Sequence, residues 1–173
     1  MDILVSPIAT DATRGTLRFK NFAFPCVLGR SGIKTDKHEG DGATPVGRFA
    51  LKRVLYRGDK LMPPATRLLI QPIARDDGWC DAPEDANYNR PVKLPDPASA
   101  ENMWREDALY DLVVVLGHND DPVIPYAGSA IFMHVAAPDL TPTAGCIALA
   151  REDLLSVLRA LTGATFVDIR TVY

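Results

Sequence analysis

Two side chains in this sequence carry the chemistry of a nucleophile and its base, and they lie in one continuous stretch. Ser129 to His134 is an apolar run that ends on an imidazole, Val135 to Pro142 is rich in turn formers, and Thr143-Ala144-Gly145-Cys146-Ile147 delivers a thiol from a run of small residues. A thiol attacks as its thiolate. A free cysteine, with a pKa of about 8.5, is mostly protonated at neutral pH and needs a base or backbone dipoles beside it. His134 is the natural base. Gly145 has no Cβ, so the backbone can turn sharply there and leave its N–H, with that of Cys146, directed at a reacting carbonyl. The same residue types also fit a structural role, an inert buried thiol and a histidine capping a strand, because Cys and His must meet in space rather than in sequence.

The elements that would position this pair can be read from periodicity. A strand over Ala130 to Met133 holds the imidazole at its end, the loop with Pro138 and Pro142 turns the chain back, and Ile147 to Leu149 begins the return strand that brings Cys146 alongside His134. Asp2–Ser6, Thr16–Phe19 and Phe22–Leu28 read as a meander of short strands. Val46–Tyr56 alternates apolar and polar residues as a half-buried antiparallel strand does. Arg67–Gln71 and Thr165–Ile169 are further short strands, and the apolar run Leu112–Leu116 is a buried one. Arg151–Leu161 carries Leu154, Leu155, Leu158 and Leu161 at helical spacing before Gly163, so it predicts a core-packing helix. Ile73 to Asn102 is irregular and proline-rich, and the nearby Trp79, Tyr88 and Trp104 suggest an ordered loop covering one side of the catalytic groove. The count predicts a mainly-β sandwich or barrel with one packed C-terminal helix and a long covering loop, in a single domain over residues 1–173.

The stretch His134, Thr143, Gly145, Cys146, Ile147 resembles the signature of the L,D-transpeptidase catalytic domain, the YkuD-type family that crosslinks peptidoglycan. Asp41-Gly42-Ala43-Thr44-Pro45-Val46-Gly47-Arg48-Phe49 resembles the family's second marker, a Thr-Pro-x-Gly-x-Phe segment opening a strand. The two lie in the family's order, about 90 residues apart. Ala144 stands where the family usually has a second histidine and Ala148 where an arginine usually follows, which alters the substrate pocket but leaves nucleophile and base in place. The insert-like stretch from Gly78 to Asp81 through Tyr88 to Arg90, with Glu101 to Arg105 and Leu109 to Asp111, looks like a distinct, short, often leaderless proteobacterial branch of the family.

The resemblance implies a β-sandwich or barrel and ping-pong acyl transfer. In that chemistry His134 takes the proton of Cys146, the backbone carbonyl of Val135 orients the histidine, and Gly145 and Cys146 supply the oxyanion donors. The thiolate attacks a stem peptide after its diamino acid, D-alanine leaves, and an amine of a second stem resolves the thioester. It implies no metal or organic cofactor, and carbapenem β-lactams as acylating inhibitors. The product would be a crosslink of the 3-3 type, or of the 1-3 type given Ala144 and Ala148. Hydrolysis of the same thioester would make an L,D-carboxypeptidase, and a silent stem-peptide-binding module gripping through Arg30 and Arg90 is a reading of another class. Candidate substrate-binding residues are Arg30, Asp41 and Thr44 in and after the charged loop, Arg90 in the cover, Tyr126 and Ser129 leading into the catalytic strand, and Thr143 and Ala144 beside the thiol. Arginine's planar fork suits a substrate carboxylate, so Arg30, or Lys37 in its loop, is placed against one. Tyr88 is a further position to test in the cover.

Composition bounds the rest. The chain has 173 residues, 47% hydrophobic and 24% charged, ordinary values for one globular domain that buries about two thirds of its unfolded surface. A net charge of −3 and the lack of any basic run argue against a nucleic-acid partner. No segment reaches the roughly 20 apolar residues of a transmembrane helix, and no signal-peptide pattern opens the chain. The implied chemistry belongs to the cell envelope or periplasm, so the expectation is divided between non-classical export and a cytoplasmic pool acting on precursors. Three cysteines cannot all pair, which leaves Cys146 free, and Cys26 and Cys80 read as packing residues. His38, His118 and His134 show no paired ligand spacing with them, so no metal site is expected.

Overall fold

The computed structural model of the chain describes residues 1–171. Three strands open it as a meander, β1 (Ile3–Ile8), β2 (Asp11–Phe19) and β3 (Phe22–Val27), each antiparallel to the next. The second begins earlier than its apolar alternation suggests. Two short pieces, β4 (Ile33–Lys34) and β5 (Thr44–Pro45), pair in parallel and pin the charged loop between them. The long β6 (Gly47–Tyr56) and β7 (Leu69–Pro72) follow. Three strands, β8 (Asp77–Cys80), β9 (Pro91–Lys93) and β10 (Ala100–Asn102), then form a sheet of their own. After them come β11 (Leu112–Leu116), β12 (Phe132–Val135), β13 (Ile147–Leu149), the helix α1 (Arg151–Ala160) and β14 (Phe166–Ile169).

The main sheet runs β11-β12-β13-β3-β2-β1-β14-β6, and β6 also pairs with β11, so eight strands close into a barrel with β7 appended to β6. Closure removes free sheet edges, and a barrel of this size is filled by its own side chains. The filling is Ile3, Val5, Leu17, Val114, Met133, Ile147 and their neighbours, and Leu154, Val157 and Leu158 from the apolar face of α1 pack into the same core. Arg151 at the start of that helix binds Asp111, which is 2% exposed and also accepts from Lys60. No described helix is long and apolar enough to cross a membrane.

A second apolar cluster lies on the outer face of β6, β11 and β12 and explains why β11 reads as a continuous apolar run. In β11, Leu112, Val114 and Leu116 face the barrel interior, whereas Val113 and Val115 face outward against Trp79 and Met103 of the small sheet and the segment after it. A strand covered on both faces has no polar side to alternate with. In β6 a register shift leaves Lys52 unmatched between Leu51 and Arg53, so Leu51 faces inward before it and Val54 and Tyr56 after it.

The cover over this outer face is thus the sheet β10-β8-β9, not the irregular loop expected over Ile73 to Asn102. Its strands have three or four residues each and contain Gly78, Pro91 and several charges, too few apolar positions to show a period.

Candidate active site

The expected return strand is instead a parallel one. Met133 pairs with Ile147, His134 with Ala148 and Val135 with Leu149, and the connection 136–146 runs back the length of the strands, as a parallel pairing requires. The chain therefore re-enters the sheet beside the start of β12. His134 lies inside β12 rather than beyond its end. Residues two apart on a strand share a face, so Phe132 and His134 lie with Cys146 and Ala148 on the outer face. His134 and Cys146 are diagonal neighbours there, within the reach of longer side chains.

The turn 143–146 is held by one hydroxyl. Thr143 Oγ1 donates to the Cys146 carbonyl at 2.7 Å and accepts the Gly145 N–H at 3.1 Å, while the Thr143 backbone is tied to Leu28 and Arg30. Gly145 has φ +143°, and a Cβ there would stand 2.8 Å from the Ala43 carbonyl oxygen. Of the two N–H groups expected to face a reacting carbonyl, that of Gly145 is engaged by Thr143. That of Cys146 takes no part in the turn's hydrogen bonds among the described residues.

Both side chains are dry. Cys146 is 7% exposed and His134 5%. The Cys146 sulfur accepts from the Phe132 N–H at 3.4 Å and its thiol donates to the Ala130 carbonyl at 3.2 Å. His134 Nδ1 lies 2.8 Å from the Val135 carbonyl oxygen; because a carbonyl only accepts, Nδ1 carries the proton and Nε2 is the bare, basic nitrogen. Burial lowers His134 to about 4, against the opposing pull of the Val135 carbonyl. Burial, helped by the charge of Glu101, raises Cys146 to about 12. At neutral pH the resting pair is a thiol and a neutral imidazole, not an ion pair.

The two open into a cavity of about 420 Å³, whose lining includes Arg30, Lys37, Ser129, Thr143 and Ala144. Arg30 is exposed, folds over Gly42 and touches the Gly40 carbonyl. Ser129 is 8% exposed and its hydroxyl has no hydrogen-bond partner among the described residues. The remaining candidates lie outside the lining. Asp41 clamps the charged loop: burial alone would raise its carboxyl, but the N–H groups of His38 and Ala43 and the ammonium of Lys37 outweigh that and hold it below its ordinary value. Thr44 is fully buried and accepts the Gly29 N–H. Tyr126 is exposed and donates to Glu84. Arg90 is paired with Asp120 away from the thiol, and Tyr88 is buried and donates to Glu39.

Sequence reasoning missed the other wall of the cavity. Asp81, Glu101 and Arg105 come from the cover sheet and its flanks, together with Tyr110 just before β11. The Tyr110 ring meets His134 edge-on at 5.3 Å and its hydroxyl donates to Glu101. Burial raises the Glu101 carboxyl despite that bond. The signal available was weak, charges and an aromatic in a stretch whose strands were not recognised. Among the described residues no group of three or more His, Cys, Asp or Glu is placed to hold a metal ion.

Comparison with known proteins agrees with this architecture. Residues 11–169 match the family model of the L,D-transpeptidase catalytic domain, YkuD. The helical cell shape determining protein Pgp2 of Campylobacter jejuni superposes with a TM-score of 0.50 at 19% identity, over 99% of this chain and 48% of that one, so the chain spans about half the length of that structure. L,D-transpeptidase 1 of Mycobacterium tuberculosis gives a TM-score of 0.40 at 12% identity, over 97% of this chain and 61% of that one. No curated protein matches in sequence. The match over residues 11–169 covers nearly the whole barrel, the thiol and the histidine, and the chain belongs to the L,D-transpeptidase catalytic domain family.

Proposed function

We propose that the protein is a cysteine-dependent L,D-transpeptidase of peptidoglycan, moving the acyl group of one stem peptide to an amine of another. The observation that carries this reading is the common placement of Cys146 and His134 on one sheet face and in one cavity, with His134 Nδ1 committed to Val135 so that Nε2 is left as base. The thiol proton points at Ala130 in the resting site. On substrate entry it turns to His134 Nε2, the sulfur–carbon bond forms, and the developing oxyanion takes the Cys146 N–H, with the Gly145 N–H joining on release from Thr143. The carbon–nitrogen bond to the terminal D-alanine then breaks, and the leaving amine takes the proton from His134. An acceptor amine attacks the thioester, gives its proton back to His134, and the thiol is restored.

Arg30 in the cavity lining suits a substrate carboxylate, and Asp81 and Glu101 in the same lining suit ammonium groups. That mixture fits a diamino-acid stem better than an uncharged peptide. The absence of larger side chains at Ala144 and Ala148 leaves space for an acceptor of the 1-3 type as well as the 3-3 type. The chemistry assigns the protein to the cell envelope, with a cytoplasmic pool acting on precursors as the alternative site of action.

Incubation of the purified protein with disaccharide tetrapeptide, followed by mass spectrometry of the products, separates the outcomes. Crosslinked dimers with release of D-alanine support the transpeptidase, and their fragmentation shows which residues are joined. Tripeptide alone would make the protein an L,D-carboxypeptidase. Binding without turnover would leave a stem-peptide-binding module.

A further inference from the structure

A second cavity, of about 370 Å³, lies on the same outer face beyond Trp79 and Asn89, and none of its lining residues belongs to the catalytic one. Its charge is one-sided. Lys52, Arg53 and Arg90 project into it against a single carboxylate, Asp120. Both oxygens of Asp120 are already taken, Oδ2 by Lys52 at 2.7 Å and Oδ1 by Arg90 at 2.9 Å. Arg53 has no carboxylate partner among the described residues. Its Nε is buried without an acceptor, and its guanidinium lies 5.9 Å from the centre of the Trp79 ring. The rest of the lining joins an apolar part, Trp79, Leu69, Val115 and Leu116, to the side chains of Asn89 and His118.

A buried guanidinium N–H left without an acceptor is rare and costly, and three cations around one carboxylate repel each other. One further anion, met by the guanidinium and ammonium groups that line the cavity, offsets that repulsion. The planar fork of arginine pairs best with a carboxylate or a phosphate, and an apolar wall favours a ligand with a hydrocarbon body. We propose that this cavity binds an organic carboxylate, its head on Arg53 between Lys52 and Arg90 and its apolar body against Trp79. The site rests on its own residues and does not depend on the chemistry proposed for Cys146.

The chain contains two tryptophans, which supply a reporter and a control. Trp79 lines the cavity and donates its indole N–H to Asn89, whereas Trp104 is stacked beneath Arg57. Titration of the full chain with hexanoate, followed by nitrogen-15 NMR of the two indole groups, should move the Trp79 signal saturably and leave Trp104 in place. Arg53→Met should weaken that binding about tenfold or more. Lys52→Gln, at a half-exposed position where folding is not at stake, should weaken it to a smaller extent. Inorganic phosphate at the same concentration should give no saturable shift. A Trp79 signal that does not saturate, or unchanged binding in both variants, would overturn the site, and an equal response to phosphate would overturn its assignment to carboxylates.

Discussion

Gly145 has little conformational freedom in the turn that bears Cys146. Its φ of +143° and the 2.8 Å gap from a built Cβ to the Ala43 oxygen mean that Gly145→Ala must move the turn bearing Cys146, so a loss of about 1–3 kcal/mol in stability is expected, with a fall in acylation rate out of proportion to it. Equilibrium urea unfolding and single-turnover acylation measure the two separately. His134 makes a second prediction. The base must be neutral to accept a proton, and its burial lowers the folded-state pKa to about 4. Activity should therefore survive well below the usual histidine range and fail only as the pH drops through about 4 in a profile of kcat/KM. A limb at about 6.5 would mean that the imidazole is hydrated in the working state of the proposed enzyme.

The cover sheet is the element that makes this site differ from a bare barrel face, and Asn89 fastens it. The Asn89 side chain accepts from the Trp79 indole and from the Ala130 N–H, and donates to the carbonyls of His118 and Asn119. Ala130 is also the residue whose carbonyl receives the thiol. Asn89→Ala leaves several buried groups unpaired and is expected to cost about 2–4 kcal/mol, read from the urea midpoint. Such a fastening is not legible in the sequence, because a lone Asn between Tyr88 and Arg90 carries no period and its four partners come from three distant segments. The strands under the cover were legible, since Leu112–Leu116 and Ile147–Leu149 are pure apolar runs and coincide with β11 and β13. Their direction was not. The loop from Ala136 to Cys146 reads as a turn that sends the chain back, whereas the parallel pairing of Met133 with Ile147 makes it a crossover. Of the candidate substrate-binding residues, Arg30, Ser129, Thr143 and Ala144 line the cavity, whereas Asp41, Thr44, Arg90 and Tyr126 belong to other contacts.

At the scale of the whole molecule, a closed barrel holds a thiol and an imidazole away from water, and both should leave a mark on stability. Between the ordinary histidine pKa of 6.5 and about 4, the unfolded chain binds a proton that folded His134 does not, so stability is lost as the pH falls through that window. Cys146, raised from 9.0 to about 12, keeps a proton that the unfolded chain releases, so stability is lost again as the pH rises from 9 toward 12. Thermal melts across pH should show a plateau between the two, and His134→Gln should flatten the acid slope relative to wild type while the lowered carboxylates of both proteins contribute equally. The defining property of the site is whether Cys146 accepts an acyl group. Intact-protein mass spectrometry after mixing wild type, His134→Ala and Cys146→Ala with a carbapenem tests this most directly. The expected result is a drug-sized mass increase on wild type, slower by a factor of about 10²–10⁴ in His134→Ala and missing in Cys146→Ala. An adduct that persists in Cys146→Ala, or no adduct on any of the three, would contradict the assignment of Cys146 as the nucleophile.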